Sequence, residues 1–361
     1  MNPSIPRAVV ALAAAAAIVV CLSSCWYSKQ AAFFLSERAG AVPVSKVAAD
    51  SSTPERVALF LSNVESIRSF AVDRAGLSST KNYTRYVTTD KGYVADVVSA
   101  CAADSFDRHY WRYPVVGALP YKGFYEKADA DAEAARLKEA GLDVIVRKVD
   151  AFSSLGFFKD PLYSFMADYE EDELAELVLH ESAHATLFVK GADQFNEEFA
   201  TFVGRVATDV YIEERYGPDS DVKTRRASRR ADGQAFVAFL KETARRLGER
   251  YGDESMSKGD RLAEKAAIIA ARAEEYRIEA PTLFAGDGYR NFDMGSINNA
   301  YIDLYRLYEE DLGLYQRYFE VVASGSIREF VSSVSALAAT ARKDVKRQME
   351  IRLDHDTRRS E

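Results

Sequence analysis

The sequence predicts an α+β fold that is mainly helical, with a small, antiparallel-containing sheet in its N-terminal part. Strand-like runs at residues 83–89, 93–100 and 143–149 predict this sheet. From Glu170 almost to the C-terminus, the apolar residues recur at helical spacing. The chain has 361 residues, of which 48% are hydrophobic, and it is long enough to bury a sizeable core. We therefore expect a globular body of one or two domains.

Residues 1–24 have the features of a secretion signal. Arg7 supplies a weak positive charge, and residues 8–20 form an apolar run that is short for a membrane span. Leu-Ser-Ser-Cys follows; it resembles a bacterial lipobox and predicts a lipid on Cys25 as the first residue after cleavage. A plain signal peptide and a retained anchor helix are the alternatives. We expect a protein bound to a membrane of the bacterial envelope, on the periplasmic or outer surface, with residues 25–50 as tether and first helix.

The net charge argues against a nucleic-acid-binding protein, and the cysteine content argues against an internal disulfide. The formal charge is −8, which becomes −8 − 1 = −9 once Arg7 is removed with the signal. No basic stripe with interleaved aromatic residues is present, so we expect no nucleic-acid partner. Of the three cysteines, Cys21 is removed and Cys25 is acylated in this prediction, so Cys101 has no partner for an internal disulfide. We predict that Cys101 is a small buried residue.

Residues 51–165 are predicted to be the α+β part of the folded body. Thr53 as a capping hydroxyl and Pro54 at the first helical position predict a helix start. This helix should run to about Ala75 and stop near Gly76. Its predicted buried stripe consists of Val57, Phe60, Leu61, Val64, Ile67 and Ala71.

The β-type segments of this part follow the helix. Thr89-Asp90-Lys91-Gly92 looks like a hairpin turn between the first two strands. Residues 113–125 are extended and contain Pro and Gly, which predicts an edge strand. The remaining predicted elements are a helix over Asp129–Ala140 that ends at Gly141 and a strand over Asp143–Val149.

Residues 166–361 are predicted to be the helical part of the same domain. The charged segment Arg342–Glu361 is predicted to be a solvated helix end. The predicted helices lie at about 171–190, 194–215, 226–250, 257–278, 297–322 and 327–352.

The first of these helices contains the motif H-E-x-x-H as His180, Glu181 and His184. Side chains four residues apart lie on one helix face, with Cβ atoms roughly 5–6 Å apart. Two imidazoles so placed can bind one zinc ion at about 2.0–2.1 Å. Glu181 points beside the ion, where a general base can take a proton from the attacking water. Burying these groups without partners is costly, which favours a metal site over chance.

A catalytic zinc site takes three protein ligands, and the next helix offers two candidates for the third. Gly191 can end the first helix and Asp193 can cap the second, so the two helices should be antiparallel neighbours. Glu197 lies on the same helical stripe as small residues that permit close approach, namely Ala200, Thr201 and Gly204. Glu198 lies on the stripe of Phe195 and Phe202. We favour Glu197, and Glu198 remains an alternative ligand or a residue that orients a histidine.

The combination of H-E-x-x-H with Asn196-Glu197-x-x-Ala200 resembles the gluzincin metallopeptidases, whose third zinc ligand is the Glu of the second motif. Nearly all of the mature chain is similar to a family of bacterial lipoproteins known as predicted aminopeptidases. This similarity includes Tyr113–Gly117, Ser154–Pro161 and Asn298–Ala300. The resemblance implies a sheet packed against a zincin-like active-site helix pair, and a peptide substrate. It also implies one Zn²⁺ held by His180, His184 and Glu197, with Glu181 as base.

The tetrahedral oxyanion of peptide hydrolysis needs a further donor. Tyrosines are the candidates, and the sequence does not choose among Tyr121, Tyr301, Tyr305 and Tyr308. His109 could also donate, but a histidine of this kind more often lies at the surface or in the core without a catalytic role. His355, between two aspartates, is predicted to be solvated.

Three further alternatives remain open at this point. The segment Tyr121-Lys122-Gly123 could pair with an extended substrate, or it could be an ordinary loop at the sheet edge. An endopeptidase acting on envelope proteins or wall peptides would need the same metal and base. A non-enzymatic lipoprotein could bind a partner and use zinc only structurally, although such a site has no use for Glu181.

Overall fold

The computed structural model describes residues 26–113, 117–150 and 160–360. It is 67% helix and 11% strand, which confirms the predicted α+β class. The predicted signal and Cys25 lie outside the described residues, as do parts of the two segments 113–117 and 154–161. No helix within the described ranges is long and apolar enough to cross a membrane.

Helices form most of the chain and surround three small sheets. Short 3₁₀ helices occur at Ser164–Asp168, Met294–Ser296 and Arg342–Asp344. The helices are α1 (Trp26–Gly40), α2 (Val44–Ala49), α3 (Glu55–Asp73), α4 (Lys127–Glu139), α5 (Glu171–Thr186), α6 (Asp193–Tyr216), α7 (Asp221–Tyr251), α8 (Lys258–Leu283), α9 (Asp287–Arg290), α10 (Asn299–Glu309), α11 (Leu312–Val321), α12 (Ile327–Ala341) and α13 (Val345–Ser360). The strands are β1 (Val42–Pro43), β2 (Arg85–Val87), β3 (Ala95–Ala102), β4 (Trp111–Tyr113), β5 (Gly117–Leu119), β6 (Tyr121–Phe124), β7 (Leu142–Val149) and β8 (Leu162–Tyr163).

Helix α3 has the predicted length and buries the whole predicted stripe, from Val57 to Ala71. Its start differs from the prediction, because Pro54 is the N-cap residue and no side chain caps the helix. The Thr53 hydroxyl instead donates to the carbonyl of Val47 at 2.6 Å. Thr53 therefore ties α3 to the preceding short helix, and Gly76 follows the helix end with φ of +72°.

The predicted hairpin between residues 83–89 and 93–100 is wrong. Strand β2 pairs antiparallel with β1 and parallel with β8, whereas β3 is the centre of a different sheet with the order β6-β3-β7. Strand β3 is buried along almost its whole length, so it needs a neighbour on each side. Antiparallel β6 and β7 supply these neighbours. The turn-like sequence at Thr89–Gly92 thus connects two sheets.

The other predictions for this part agree with the structure. The segment 113–125 supplies β6, which is an edge strand of the β6-β3-β7 sheet, and β5, which pairs with β4 in a smaller sheet. Helix α4 ends before Gly141, which has φ of +81°. Helix α1, predicted as part of a tether, packs on this sheet, because the Trp26 indole donates to the carbonyl of Gly123 at 3.0 Å. Cys101 is fully buried, as predicted, and burial raises the pKa of its thiol to about 12.

The helical part forms two hydrophobic clusters. The larger cluster joins α3, α5, α6, α11, α12 and α13, and the smaller one joins α7, α8 and α10. The predicted helix at 297–322 is divided into α10 and α11, and the one at 327–352 is interrupted by a 3₁₀ turn. The prediction that the segment 342–361 is only a solvated helix end is wrong. Its buried stripe, spaced four residues apart, consists of Val345, Met349 and Leu353.

Candidate metal centre

Helix α5 presents both histidines of the H-E-x-x-H motif to the same place. A capping box fixes the start of this helix, with Glu170 and Glu173 each accepting from the other's backbone N–H. The imidazole rings of His180 and His184 lie 4.8 Å apart between centroids. The His184 side chain is buried, whereas the His180 side chain is 20% exposed. One ring is thus enclosed, and the other reaches open space.

Helix α6 brings Glu197 to these rings because the two helices pack closely. Gly204 faces His180, and a Cβ on Gly204 would lie 3.1 Å from the Cβ of His180 and 3.2 Å from the carbonyl oxygen of Glu176. Glu197, early in α6, lies against His184, late in α5, whereas Gly204, later in α6, meets the earlier residues His180 and Glu176. This order makes the helices antiparallel, as predicted from the short turn.

The turn between α5 and α6 is built differently from the prediction. Helix α5 ends at Thr186 with Leu187 as its C-cap, before Gly191. Asp193 is the first residue of α6, and no side chain caps this helix at Ala192. The side chain of Asn196 closes the turn, since it accepts from the Val189 N–H at 2.8 Å and donates to the Val189 carbonyl at 2.9 Å.

His180, His184 and Glu197 form a group of three potential ligands. Oε2 of Glu197 lies 3.5 Å from Nε2 of His184 and 3.9 Å from Nε2 of His180. One ligand atom from each residue lies within 4.8 Å of the other two. Ligand atoms around a tetrahedral zinc ion lie roughly 3.3–3.6 Å apart. The donor types and their spacing therefore fit one metal ion.

The electrostatics of the three residues also favour a cation. Burial lowers the pKa of His180 to about 3, assisted by the neighbouring His184, so its imidazole is neutral. Burial alone would raise the pKa of Glu197, but His184 and His180 outweigh it and lower this pKa. Burial opposes the charged form of His184, yet the Glu197 carboxylate outweighs it and raises its pKa. A carboxylate that attracts a proton to His184 attracts a metal cation in the same way.

Glu181 lies next to this group and lines the same cleft. Glu181 is 8% exposed and belongs to the lining of this cleft together with the three potential ligands. The cleft has a volume of about 1180 Å³. Strands β3, β6 and β7 contribute to one wall, helices α5, α6 and α7 to the other, and Trp26 and Gln30 of α1 to the rim. A carboxylate beside a metal-binding group in an open cleft can act as a general base.

A family model described as "Putative aminopeptidase" matches residues 26–349. The chain belongs to this family. No curated protein and no solved structure matches it. As a member of this aminopeptidase family, the chain is a peptidase, and peptides are its substrates.

Glu198, the other candidate ligand on α6, lies on a different face of the helix from Glu197. It is fully buried. Its carboxylate accepts from Gln194 at 3.0 Å and from the Asp311 N–H at 3.1 Å, and it lies 2.9 Å from the Lys346 ammonium. Among the described residues, these contacts do not include either histidine. Glu198 therefore joins α6 to α11 and α13.

The four candidate tyrosines divide into two pairs. Tyr121 and Tyr308 line the cleft, and the Tyr308 ring lies 6.4 Å from that of His180. Tyr301 and Tyr305 contact each other in the smaller hydrophobic cluster and are not brought to the metal group. The remaining histidines are also distant, since His109 packs on Trp111 and exposed His355 lies 3.0 Å from Asp356.

Sequence reasoning missed the arginines of the cleft. Arg147 of β7 reaches the metal group from the sheet, and Arg205, Arg226 and Arg229 line the helical wall. Arg205 binds Glu309 at 2.7 Å, Arg226 binds Glu176 at 2.7 Å, and Arg229 pairs with Asp172. The sequence does contain a signal for Arg147, because the two charged residues Arg147 and Lys148 interrupt the apolar stretch Val144–Val149. No comparable pattern marks the other three.

Proposed function

We propose that this chain is a zinc-dependent peptidase that acts as an aminopeptidase and is held at the membrane by a lipid on Cys25. The proposal depends mainly on one observation, the group of His180, His184 and Glu197 that adjoins Glu181 in an open cleft. Family membership supports peptide hydrolysis as the reaction.

Each residue of the site has a role in this reaction. His180, His184 and Glu197 would hold the ion through two imidazoles and one carboxylate, and bound zinc would supply a Lewis acid that polarises the scissile carbonyl. Glu181 takes a proton from the attacking water and passes it to the leaving amine. Of the four tyrosines that the sequence offers as oxyanion donors, Tyr121 and Tyr308 line the cleft and are the candidates for this role.

The decisive variant is Glu181→Gln, which keeps the shape of the side chain and removes the base. We expect kcat on L-aminoacyl 4-nitroanilides to fall by about 10²–10⁴-fold, the usual contribution of a general base. The zinc content, measured by mass spectrometry of the purified protein, should stay at one ion per chain. Chelation should abolish the activity of the wild type, and added Zn²⁺ should restore it.

A matched control is Glu279→Gln, the same change at an exposed position of α8. It should leave both activity and zinc content unchanged. Bound zinc together with undiminished activity in Glu181→Gln would disprove the mechanism and leave the structural-zinc alternative.

An endopeptidase is the second candidate, and the size of the cleft favours it. Its volume of about 1180 Å³ exceeds the range of roughly 300–1,000 Å³ usual for small-ligand sites. In addition, Asp172 and Glu176, which could receive a substrate amine, are paired with arginines. N-acetylated and free peptides of the same sequence separate the two activities, since an aminopeptidase does not cleave the blocked peptide.

The lipid anchor is supported by the sequence Leu-Ser-Ser-Cys that ends at Cys25. The next residue, Trp26, is already attached to the sheet edge through Gly123, so a lipid on Cys25 would hold the body close to the membrane. The mass of the mature N-terminal peptide tests this, because a cysteine without acyl chains contradicts the anchor.

A further inference from the structure

Arg147 and Tyr308 form a hydrogen-bonded pair in the cleft. Arg147 lies on β7 and Tyr308 lies on α10, and both line the cleft beside His180. Nη2 of Arg147 donates to the Tyr308 hydroxyl oxygen at 3.1 Å. The guanidinium carbon lies 5.8 Å from the centre of the Tyr308 ring. The sheet and the helical part therefore meet at this pair.

Arg147 differs from the arginines of the opposite wall in having no carboxylate partner. Arg205, Arg226 and Arg229 each form an ion pair with an acidic side chain. For Arg147, the described part of the chain offers no carboxylate within ion-pair distance, and its buried Nε has no hydrogen-bond partner there. Glu197 acts on Arg147 electrostatically, but from beyond ion-pair distance. A guanidinium that no carboxylate contacts is only partly compensated, so its retention calls for a role in the site.

The direction of the hydrogen bond determines where the Tyr308 proton goes. A guanidinium has five N–H donors and no acceptor, so Arg147 can only donate to Tyr308. The phenolic proton of Tyr308 must then point away from Arg147. No acceptor for it exists among the residues that the structure describes, and the hydroxyl belongs to the cleft wall next to His180. This hydroxyl is thus set to donate to a group that enters the cleft.

We propose that Arg147 is a positioning residue that directs the hydroxyl proton of Tyr308 towards the oxyanion of the substrate. This inference rests on the proposed function and selects Tyr308, rather than Tyr121, as the transition-state donor. Tyr121 has no such cationic partner in hydrogen-bond contact with its hydroxyl among the described residues.

A double-mutant cycle with Arg147→Met and Tyr308→Phe tests the dependence of one residue on the other. Loss of one oxyanion donor costs about 10²–10³-fold in kcat, which we expect for Tyr308→Phe with little change in KM. Arg147→Met should lower kcat by about 10-fold or more. The double variant should be no slower than Tyr308→Phe, because Arg147 acts through the hydroxyl. Arg147→Lys, which keeps a cationic donor, should recover part of the loss.

Two outcomes would overturn the inference. Multiplicative losses in the double variant would show that Arg147 acts on the substrate directly. A rise in KM without a fall in kcat would show that Arg147 binds a ground-state carboxylate of the peptide. Tyr121→Phe serves as the matched control and should lower kcat much less than Tyr308→Phe.

A second measurement does not depend on turnover. In protein labelled with ¹³C at the tyrosine Cζ, the resonance that disappears in Tyr308→Phe belongs to Tyr308. It should shift in Arg147→Met, because the hydroxyl loses its donor, and an unmoved resonance would refute the pair. If the wild type holds no zinc and cleaves no peptide, the proposed function fails. If it is active and either the resonance or the cycle contradicts the pair, only this inference fails.

Discussion

Two neighbouring glutamates on α6 show how one helix can serve a reactive site on one face and the core on the other. Glu197 and Glu198 are both buried, at 7% and 0% exposure. Glu197 faces α5, where its partners are two imidazoles of the metal group. Glu198 faces α11 and α13, where an ammonium and two N–H donors satisfy its carboxylate. Burial alone therefore does not distinguish a ligand from a structural residue.

The partners of the two carboxylates explain this difference. A buried carboxylate needs compensation by charge and hydrogen bonds. Glu198 receives it permanently from Lys346 and the neighbouring donors. Among the described residues, the ion-pair contacts of Glu197 are two imidazoles, and Arg147 acts on it from a greater distance, so a bound cation would complete its compensation. Exchanging each glutamate for the neutral glutamine should consequently affect two different properties of the protein.

The largest effect is expected for Glu197→Gln. The variant removes the one anionic ligand of the group, so zinc affinity should fall, and kcat/KM should fall by about 10³-fold or more, equivalent to roughly 4 kcal/mol of transition-state stabilisation. Metal analysis after dialysis against a zinc buffer, together with the 4-nitroanilide assay, measures both quantities. Zinc bound at the wild-type level would contradict the role of Glu197 as third ligand.

Glu198→Gln should change stability and leave the metal alone. Removing one partner of a buried ion pair costs about 3–5 kcal/mol. Since Lys346 is 27% exposed and keeps its ion pair with Asp311, we expect a smaller loss, about 2 kcal/mol of unfolding free energy. The midpoint of urea unfolding measures the loss.

Lys346→Met supplies the control for this second variant. In the Lys346→Met background, Glu198→Gln should lower the unfolding free energy less than it does alone, because no Lys346 ammonium is left to lose its partner. The opposite pattern, in which zinc is lost and stability is kept, would make Glu198 the metal ligand. If Glu198→Gln loses zinc and Glu197→Gln loses only stability, the roles assigned to the two glutamates are wrong.

The position of Glu197, rather than Glu198, beside the histidines was predictable from the sequence because the signal is local. Residues four apart share a helix face, so the spacing of His180 and His184 and the small residues after Glu197 predict which faces meet. Gly204 confirms the reason, since its missing side chain allows α5 to approach. The buried stripe of α3 was predictable for the same cause.

Strand pairing and the arginines of the cleft were not accessible in this way. Strand β3 pairs with β6 and β7, which are distant in the chain, and the turn-like Thr89–Gly92 carries no information about them. Arg147 and Tyr308 are 161 positions apart, so only the fold reveals their contact. In α13, a high density of charge concealed the stripe that begins at Val345.

The smallest effect is expected for a substitution at Gly204, where α6 packs closely against α5. In Gly204→Ala, the new methyl group would lie 3.1 Å from the Cβ of His180 and 3.2 Å from the Glu176 carbonyl oxygen. These neighbours belong to or adjoin the α5 backbone, so the helix must move. Overpacking costs about 1–3 kcal/mol, and the gain in helix propensity offsets up to about 1 kcal/mol of this.

We therefore expect Gly204→Ala to lose about 1 kcal/mol of unfolding free energy and to bind zinc several-fold more weakly, because His180 is displaced. Gly248→Ala in α7 is the matched control, since no atom of a neighbouring element lies within 4 Å of the methyl group that this change would add. It should gain up to about 1 kcal/mol in the same urea titration. Equal stabilisation by both alanines would mean that close packing of α5 on α6 does not hold Glu197 at the histidines.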